Sequence, residues 1–196
     1  MNISKEFASW FSPSYIKLAT APRVGDRAPS DPKLVFPTEN KKPTVVACLR
    51  HCGCPFSEAT FLAMRTAATQ HPNISFIAIS HSDQQSTEKW LADLKGPGSV
   101  TVVVDAERSI YAKWGLGVVS WGHVISPAAL VNAWKLGKEQ GIWNRPTESG
   151  SRWQSGGYWA VDQEGYVRWG YPAARADDVL NVDEAVKTLR RPHERL

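Results

Sequence analysis

The stretch that decides the fold is residues 44–57, Thr-Val-Val-Ala-Cys-Leu-Arg-His-Cys-Gly-Cys-Pro-Phe-Ser. Its first half is apolar and rich in β-branched residues, which predicts a buried strand. A Gly/Pro turn follows, and Pro55 suits the first turn of a helix. The pattern places the thiol of Cys54 at the start of that helix, where main-chain amides and the helix dipole favour an anion. Since the thiolate is the reactive form of cysteine, we expect a nucleophilic or redox-active sulfur there.

All three cysteines of the chain lie in this stretch, at Cys48, Cys52 and Cys54. An odd number of cysteines so close together does not make the disulfide framework of a secreted domain. The pattern favours a cytoplasmic, reducing location in which thiols are used for chemistry. Cys48 lies mid-strand among apolar residues and is expected in the core. No metal is expected, because zinc sites generally add a second, distant pair of ligands.

Size and composition indicate one globular domain. The chain has 196 residues, of which 42% are hydrophobic and 21% charged, enough to bury a core. We expect a single domain over residues 1–196, with an N-terminal extension at 1–43 and an insertion at 118–156. The net charge of +4 forms no basic stripe, so no nucleic-acid partner is expected. No apolar run suits a membrane span or a signal sequence, so no membrane partner is expected either.

The first half of the chain alternates strand and helix patterns. Strands are predicted at 44–50, 74–80 and 100–104, and helices at 55–71, 86–95 and from 105 to about 115. Ser86 and Asp105 are the expected caps of the second and third helices. Strands joined by crossover helices imply an α/β fold with a largely parallel sheet at its start.

The second half breaks this rhythm. The insertion holds a predicted helix at 127–137 and an irregular stretch, and such long excursions are often functional loops. A β-hairpin is predicted at 158–162 and 166–170, with Gly165 in its turn. Asn181 is the expected cap of a closing helix at 181–189. Residues 1–20 have the pattern of a short amphipathic helix.

Tryptophan is concentrated in this second half, which suggests either an aromatic-rich pocket or a packing layer. The residues are Trp114, Trp121, Trp134, Trp143, Trp153, Trp159 and Trp169. Most are expected to pack in the interior, but as a group beside a thiol they could bind a flat organic molecule. Arg145 and Arg152 lie among them, either as ordinary surface residues or as ligands for a carboxylate or an oxyanion.

Four stretches carry a resemblance to a known family. They are residues 50–58, residues 104–111 with 115–117, residues 157–162 with their hairpin, and residues 176–179. They resemble the peroxiredoxin-like alkyl hydroperoxide reductase/thiol-specific antioxidant (AhpC/TSA) family over roughly residues 24–190. The Trp-rich insertion and the Cys-Gly-Cys-Pro sequence look like a fungal branch of it. The resemblance implies a thioredoxin-like three-layer sandwich, in which helices flank a mixed central sheet and the insertion precedes the last hairpin.

The family motif transfers to this chain in part. Cys54, followed by Pro55, matches the reactive cysteine of the family. Ser57 stands where many relatives place a second cysteine, and His51 stands where peroxiredoxins carry Thr or Ser. Peroxiredoxins bring an arginine to the sulfur from just before a late strand, and Arg152 is the nearest candidate for it.

The predicted catalytic residues are Cys54, Cys52, His51 and Arg50. We expect Arg50 and the helix amides to favour the Cys54 thiolate, and His51 to act as a base or a hydrogen-bond donor. Cys52 either resolves Cys54 through a strained, easily reduced disulfide or simply packs. The predicted substrate-binding residues are Ser57, Trp121, His123, Arg152 and Trp153. His81 follows the second strand and is a further candidate, because ligands gather at that end of such sheets.

The expected activity is reduction of hydrogen peroxide or an organic hydroperoxide through a Cys54 sulfenic acid. Cys52, glutathione or thioredoxin would return the thiol, so a thiol reductant is the expected co-substrate and no bound cofactor is expected. One alternative is a tailoring enzyme of secondary metabolism that uses the Trp-rich segment to bind its substrate. Another is a non-catalytic, redox-regulated binding module. A homodimer is a candidate assembly.

Overall fold

The computed structural model describes residues 14–124, 126–146 and 149–190, which contain a five-stranded sheet in the order β3-β2-β1-β4-β5. The strands are β1 Thr44–Cys48, β2 Ser75–Ser80, β3 Thr101–Val104, β4 Gly157–Val161 and β5 Val167–Pro172. The first three are mutually parallel, whereas β4 runs antiparallel to β1 and β5 antiparallel to β4. The predicted mixed sheet is therefore confirmed, with the decisive strand β1 at its centre.

Helices cover both faces of this sheet. They are α1 Pro55–Gln70, α2 Gln84–Asp93, α3 Ser109–Lys113, α4 Trp121–Val124, α5 Pro127–Gln140 and α6 Val182–Arg190. Neighbouring strand residues point to opposite faces, so each strand contributes to two separate cores. This arrangement is the predicted three-layer sandwich.

The two cores divide the strand residues between them. One contains Val45, Ala47, Phe61, Met64, Phe76, Ala78, Trp90, Tyr158, Ala160, Ala185 and Val186, from the sheet, α1, α2 and α6. The other contains Ala28, Leu34, Val46, Cys48, Ile77, Ile79, Ile110, Tyr111, Trp114, Trp159 and Val161, from the sheet, α3 and the N-terminal extension. Cys48 lies in the second core, as predicted. Because both faces of β1 are covered, the chain leaving it is held firmly at the start of α1.

Three local predictions are wrong. Ser86 does not cap α2; Asp83 does, because its carboxylate accepts the main-chain N–H of Ser86 at 2.7 Å. Residues 14–20 are not helical, and residues 1–13 of that predicted helix lie outside the described residues. The N-cap residue of α3 is Arg108 rather than Asp105, but the Asp105 carboxylate satisfies the start of the helix by accepting the N–H groups of Ser109, Ile110 and Tyr111.

The insertion begins and ends at a narrow neck. Val119 N–H donates to the Trp153 carbonyl at 2.8 Å, and Ser155 N–H donates to the Gly117 carbonyl at 2.9 Å. The buried side-chain amide of Gln154 adds a bond to the Leu116 carbonyl at 3.2 Å. Between these ends lie α4, α5 and an irregular return toward the sheet. In the described ranges, no helix is both long and apolar enough to cross a membrane.

Candidate active site

Cys54 lies at the junction between the centre of the sheet and α1. The chain leaves β1 and passes through residues 50–54, here called the cysteine loop, before α1 begins at Pro55. Cys54 is the N-cap of α1 and has extended backbone dihedral angles, φ −79° and ψ 123°. Its side chain is almost fully buried, at 2% exposure. The thiol is therefore close to the unpaired amides at the positive end of a 16-residue helix.

Arg50 brings a positive charge to this sulfur. Its Nη1 donates to the Sγ of Cys54 at 3.4 Å, and its Nη2 donates to the main-chain carbonyl of Arg152 at 2.5 Å. The main-chain N–H of Arg50 donates to the hydroxyl of Ser57 at 3.1 Å. Arg50 thus ties together the cysteine loop, α1 and the end of the insertion. The contact between the buried guanidinium and the sulfur is a charge-assisted hydrogen bond.

His51 is buried behind the same loop. Its Nδ1 accepts the main-chain N–H of Gly53 at 3.2 Å. Burial, followed by the positive charges of Arg50 and Arg152, holds the pKa of His51 well below its usual value. The ring is therefore neutral near pH 7 and carries its proton on Nε2. Of the two predicted roles, this geometry suits the hydrogen-bond donor rather than a base acting through Nδ1.

Cys52 has different surroundings from Cys54. It is half-buried, and its Sγ lies 3.6 Å from the Ser80 hydroxyl and 3.8 Å from the Thr87 hydroxyl. Burial raises the pKa of the Cys52 thiol, and contacts with the hydroxyl groups oppose this only in part. Burial and the negative charge of Asp105 raise the pKa of Cys48 well above its usual value. All three thiols are free.

Arg145 fastens the insertion to the cysteine loop. Its main-chain N–H donates to the Gly53 carbonyl at 3.0 Å, and its guanidinium forms a two-bond ion pair with Glu58 at 2.9 and 3.2 Å. Glu58 is buried in the first turn of α1, and its bonds raise the pKa of Arg145. Without this pairing, a buried carboxylate would stand one turn from Cys54 and would disfavour a thiolate there.

His81 fastens the insertion from the opposite side. It follows β2 and is buried, and its Nε2 accepts the main-chain N–H of Ser151 at 3.0 Å. Next to it, the hydroxyl of Ser82 donates to the Ser149 carbonyl at 3.0 Å. Burial lowers the pKa of His81 to about 3, so the ring is neutral near pH 7. His81 therefore anchors the loop beside the cysteines.

The profile of a known family matches this chain. The profile described as "AhpC/TSA antioxidant enzyme" matches residues 61–175, more than half of the sequence. The chain belongs to the AhpC/TSA family. The matched residues begin after Cys54, so the roles of the cysteine loop depend on the geometry given above.

Solved structures with a similar fold include two redox proteins. A thiol peroxidase from Chromobacterium violaceum is 15% identical, with a TM-score of 0.59 over 89% of this chain and 90% of that chain. A peroxiredoxin-like protein from Aquifex aeolicus is also 15% identical, with a TM-score of 0.59 over 88% of this chain and 89% of that chain. At this identity the likeness shows the thioredoxin-like fold alone. No curated protein matches the sequence.

The predicted substrate-binding residues of this AhpC/TSA protein have varied positions. Ser57 is buried, and its hydroxyl accepts the main-chain N–H of Arg50. Arg152 is buried and contacts Arg50 through its carbonyl, and Trp153 is buried at the neck. Trp121 and His123 lie on α4, and their side chains are outside the described part of the structure. The roles given to these residues stay predictions.

The tryptophans do not gather into one pocket, as far as their side chains are described. Trp114 and Trp159 are fully buried in the second core, with ring centroids 4.8 Å apart. Trp134 and Trp143 are instead more than half exposed, at 57% and 51%. Of the two interpretations of the Trp-rich segment, the packing layer therefore fits the buried pair, and the tryptophans whose side chains are described do not share one pocket.

A cleft lies beside the cysteine loop, on the side of Cys52. It has a volume of about 320 Å³ and is called the Cys52 cleft below. Its lining residues are Cys52, Ser86, Lys89, Trp90, Asp93, Arg145 and Pro146. The sequence suggested neither this cleft nor the pairing of Arg145 with Glu58. Among the described residues, no group of three His, Cys, Asp or Glu side chains is arranged to hold a metal ion.

Proposed function

We propose that the protein is a thiol-dependent peroxidase in which Cys54 is the attacking sulfur. The proposal depends above all on one observation, the contact of the Arg50 guanidinium with the Cys54 sulfur at the N-terminus of α1. Membership of the AhpC/TSA family supports thiol-dependent redox chemistry in general. The substrate class, hydrogen peroxide or an organic hydroperoxide, is the further step of the proposal.

The reaction needs a thiolate and a donor for the oxygen that leaves. The Cys54 thiolate attacks the terminal oxygen of the peroxide, and the O–O bond breaks as the S–O bond forms. Cys54 becomes a sulfenic acid, and the remaining oxygen leaves as hydroxide or alkoxide and takes up a proton. Arg50 contacts the sulfur and is suitably placed to stabilise the negative charge as it moves onto oxygen.

His51 has a supporting role in this scheme. Because its Nδ1 is occupied by the Gly53 N–H, a neutral His51 presents Nε2–H as its donor. We assign that proton to the leaving oxygen, which it would hydrogen-bond or protonate, and water would restore it. The low pKa of His51 keeps this form dominant at physiological pH.

The catalytic cycle ends with reduction of the sulfenic acid. One thiol condenses with it to give a disulfide and water, and a second thiol releases Cys54 as the thiolate. Cys52, glutathione or thioredoxin is the proposed source of these thiols. Three free cysteines in seven positions suit a reducing compartment such as the cytoplasm, where the protein would act as an antioxidant.

Stopped-flow tryptophan fluorescence with parallel intact-mass analysis tests the proposal. Reduced wild-type protein is mixed with hydrogen peroxide and, separately, with cumene hydroperoxide. We expect a fast transient with addition of one oxygen or loss of two hydrogens, slowed at least about 10³-fold in Cys54→Ser. Cys52→Ser is the matched control, because it removes a neighbouring thiol and leaves Cys54 with Arg50.

Two results would contradict the proposal. One is oxidation of the wild-type protein no faster than a free thiol in solution. The other is an equal rate in Cys54→Ser, which would move the reactive sulfur elsewhere in the chain. Retained partner binding with no turnover under either peroxide would instead favour a redox-regulated binding module.

A further inference from the structure

The Cys52 cleft combines a thiol with charges of both signs. Lys89 and Arg145 supply two positive charges, and Asp93 supplies one negative charge. Asp93 lies 3.8 Å from the Arg145 guanidinium, whose other bonds hold Glu58. The lining residues themselves carry one net positive charge, and Arg145 shares its own charge with Glu58, so Lys89 is the cation that gives the cleft its preference for a ligand with more carboxylates than ammonium groups.

Trp90 gives the cleft an aromatic wall. The ring is 4% exposed and packs against Phe61 with centroids 4.9 Å apart, and it also lines the cleft. Its indole N–H is buried and has no hydrogen-bond partner among the described residues. Such unpaired donors are rare in native proteins, and Trp90 is the lining residue that carries one.

The volume of the cleft limits the size of that ligand. Small-molecule sites usually enclose about 300–1,000 Å³, and the Cys52 cleft is at the lower end with about 320 Å³. A molecule of about tripeptide size fits such a space. A partner protein would instead need a broad surface around the cysteine, of roughly 800 Å².

The two sulfurs of the cysteine loop face different neighbours. Cys54 is buried against Arg50, whereas Cys52 is half-buried against Ser80 and Thr87 and lines the cleft. A reductant in the cleft therefore meets Cys52 and not Cys54. This separation suggests that electrons enter at one sulfur and are used at the other.

We infer that the Cys52 cleft binds a low-molecular-weight thiol of the glutathione class, with two carboxylates and one ammonium group, and presents its sulfur to Cys52. Lys89 and Arg145 attract the carboxylates, and Asp93 attracts the ammonium group. Its role in turnover rests on the proposed peroxidase function, although binding and exchange at Cys52 do not.

The exchange balances with glutathione as the only reductant. The Cys54 sulfenic acid condenses with the Cys52 thiol, giving a disulfide and water. A glutathione thiolate then attacks the Cys52 sulfur, and the Cys54 thiolate leaves toward the Arg50 guanidinium that stabilises it. A second glutathione thiolate attacks the Cys52–glutathione disulfide, giving oxidised glutathione and the Cys52 thiolate. In sum, one peroxide and two glutathione molecules give an alcohol or water, one water and oxidised glutathione.

The test uses three disulfides of different charge on the reduced full-length protein, without peroxide. The probes are oxidised glutathione, uncharged 2-hydroxyethyl disulfide and cationic cystamine, at mildly alkaline pH because burial raises the pKa of Cys52. Adducts are located by peptide mass mapping. We expect modification at Cys52, fastest with oxidised glutathione and slowest with cystamine.

Charge variants determine whether the cleft causes this preference. Lys89 is exposed on α2, so Lys89→Glu removes no buried side chain, and circular dichroism checks that the variant folds. We expect this variant to slow the modification of Cys52 by oxidised glutathione about tenfold and to leave the rate with 2-hydroxyethyl disulfide unchanged. Lys187→Glu on α6 makes the same charge change outside the cleft and is expected to leave all three rates unchanged.

The outcomes separate this inference from the peroxidase proposal. Three results would overturn the inference that the Cys52 cleft binds glutathione. They are adducts mainly on Cys54 or Cys48, equal rates for the three probes, and an unchanged rate with oxidised glutathione in Lys89→Glu. Peroxide turnover supported by thioredoxin but not by glutathione would also overturn this inference, while the peroxidase proposal would stand. If Cys52 is modified charge-selectively but the protein does not react with peroxide, the inference of a glutathione site is supported and the proposed peroxidase activity is refuted.

Discussion

Cys52 and Cys54 are separated by one glycine, and their sulfurs lie in two different regions. Cys54 is buried at the N-cap of α1 with a guanidinium against it. Cys52 is half-buried between hydroxyl groups, beside a charged cleft. The first region places a guanidinium and helix amides against the sulfur, whereas in the second region burial raises the pKa of a thiol that a ligand can still reach. The difference teaches that closely spaced thiols gain separate chemistry from the elements packed around them.

The largest expected effect is that of Arg50→Met, which would remove the main difference between the two sulfurs. We expect alkylation of Cys54 by iodoacetamide to slow about 100-fold, toward the rate at Cys52, because the thiolate loses its charged donor. Peptide mass mapping gives both rates in one sample. Arg152→Ala is the control, since Arg152 bonds Arg50 through its main-chain carbonyl. An unchanged rate of Cys54 alkylation in Arg50→Met would show that Arg50 is not the cause of the difference between the two sulfurs.

The next largest effect concerns the ion pair of Arg145, which lines the Cys52 cleft, with Glu58 in the first turn of α1 after Cys54. Arg145→Met leaves the buried Glu58 carboxylate unpaired, so we expect a loss of about 2 kcal/mol in the free energy of unfolding. This loss is smaller than the one expected for a fully buried ion pair, because the Arg145 side chain is 39% exposed and solvent screens its charge. Urea denaturation measures it, and the double variant with Glu58→Gln should recover part of the loss. Additive losses would show that the pair is not coupled.

The pH dependence of stability tests the anchor at His81. The pKa of His81 is lowered from 6.5 to about 3 in the folded protein. Below pH 6.5 the unfolded state therefore binds a proton that the folded state does not, and the free energy of unfolding falls as the pH falls toward 3. We expect His81→Gln to reduce that slope by up to about 1.4 kcal/mol per pH unit. Denaturation curves between pH 4.5 and 7 measure it, and an unchanged slope would contradict the assignment.

The smallest expected effect is that of Cys52→Ser on the first oxidation. Cys54 and Arg50 are left in place, so we expect its single-turnover rate with peroxide within about twofold of wild type. Steady-state turnover with glutathione should fall instead, because Cys52 is the sulfur that the cleft exposes. Stopped-flow and coupled assays on the same preparation compare the two. A large loss in the first oxidation would show that the two regions are not distinct.

The sequence predicted the local parts of the fold and of the site. The β-branched run of β1, the Cys-Pro junction and the α1 pattern are contiguous, so residues 44–70 could be assigned from neighbours alone. Arg50 was predicted near Cys54 because only four positions separate them. The cap of α2 was misassigned, because Asp83 and Ser86 are both capping residues and only the backbone path decides between them.

The contacts made by the insertion could not be predicted in the same way. Glu58 and Arg145 are 87 positions apart, and their pairing depends on how an irregular loop returns to the sheet. No periodic pattern encodes that path. The same is true of His81 and Ser151, 70 positions apart, and of the cleft that these contacts leave open. A lone charged residue in a polar loop gives no signal of its partner.

The neck of the insertion has a consequence for how the sequence of this protein can evolve. Because the chain enters and leaves through the bonded residues 116–119 and 153–155, its two ends are fixed whatever lies between. Loop length then costs little, since closure entropy grows only slowly with the number of residues. The insertion's hydrogen bonds to Glu58, His81 and Arg50 come from Arg145, Ser151 and Arg152, in the irregular segment that leads back to the sheet. Within residues 120–141, α5 packs on α1 and Asn132 donates to Asp177, so new surface can arise on the outer side of this segment by mutation while those contacts and the surroundings of the cysteines are kept.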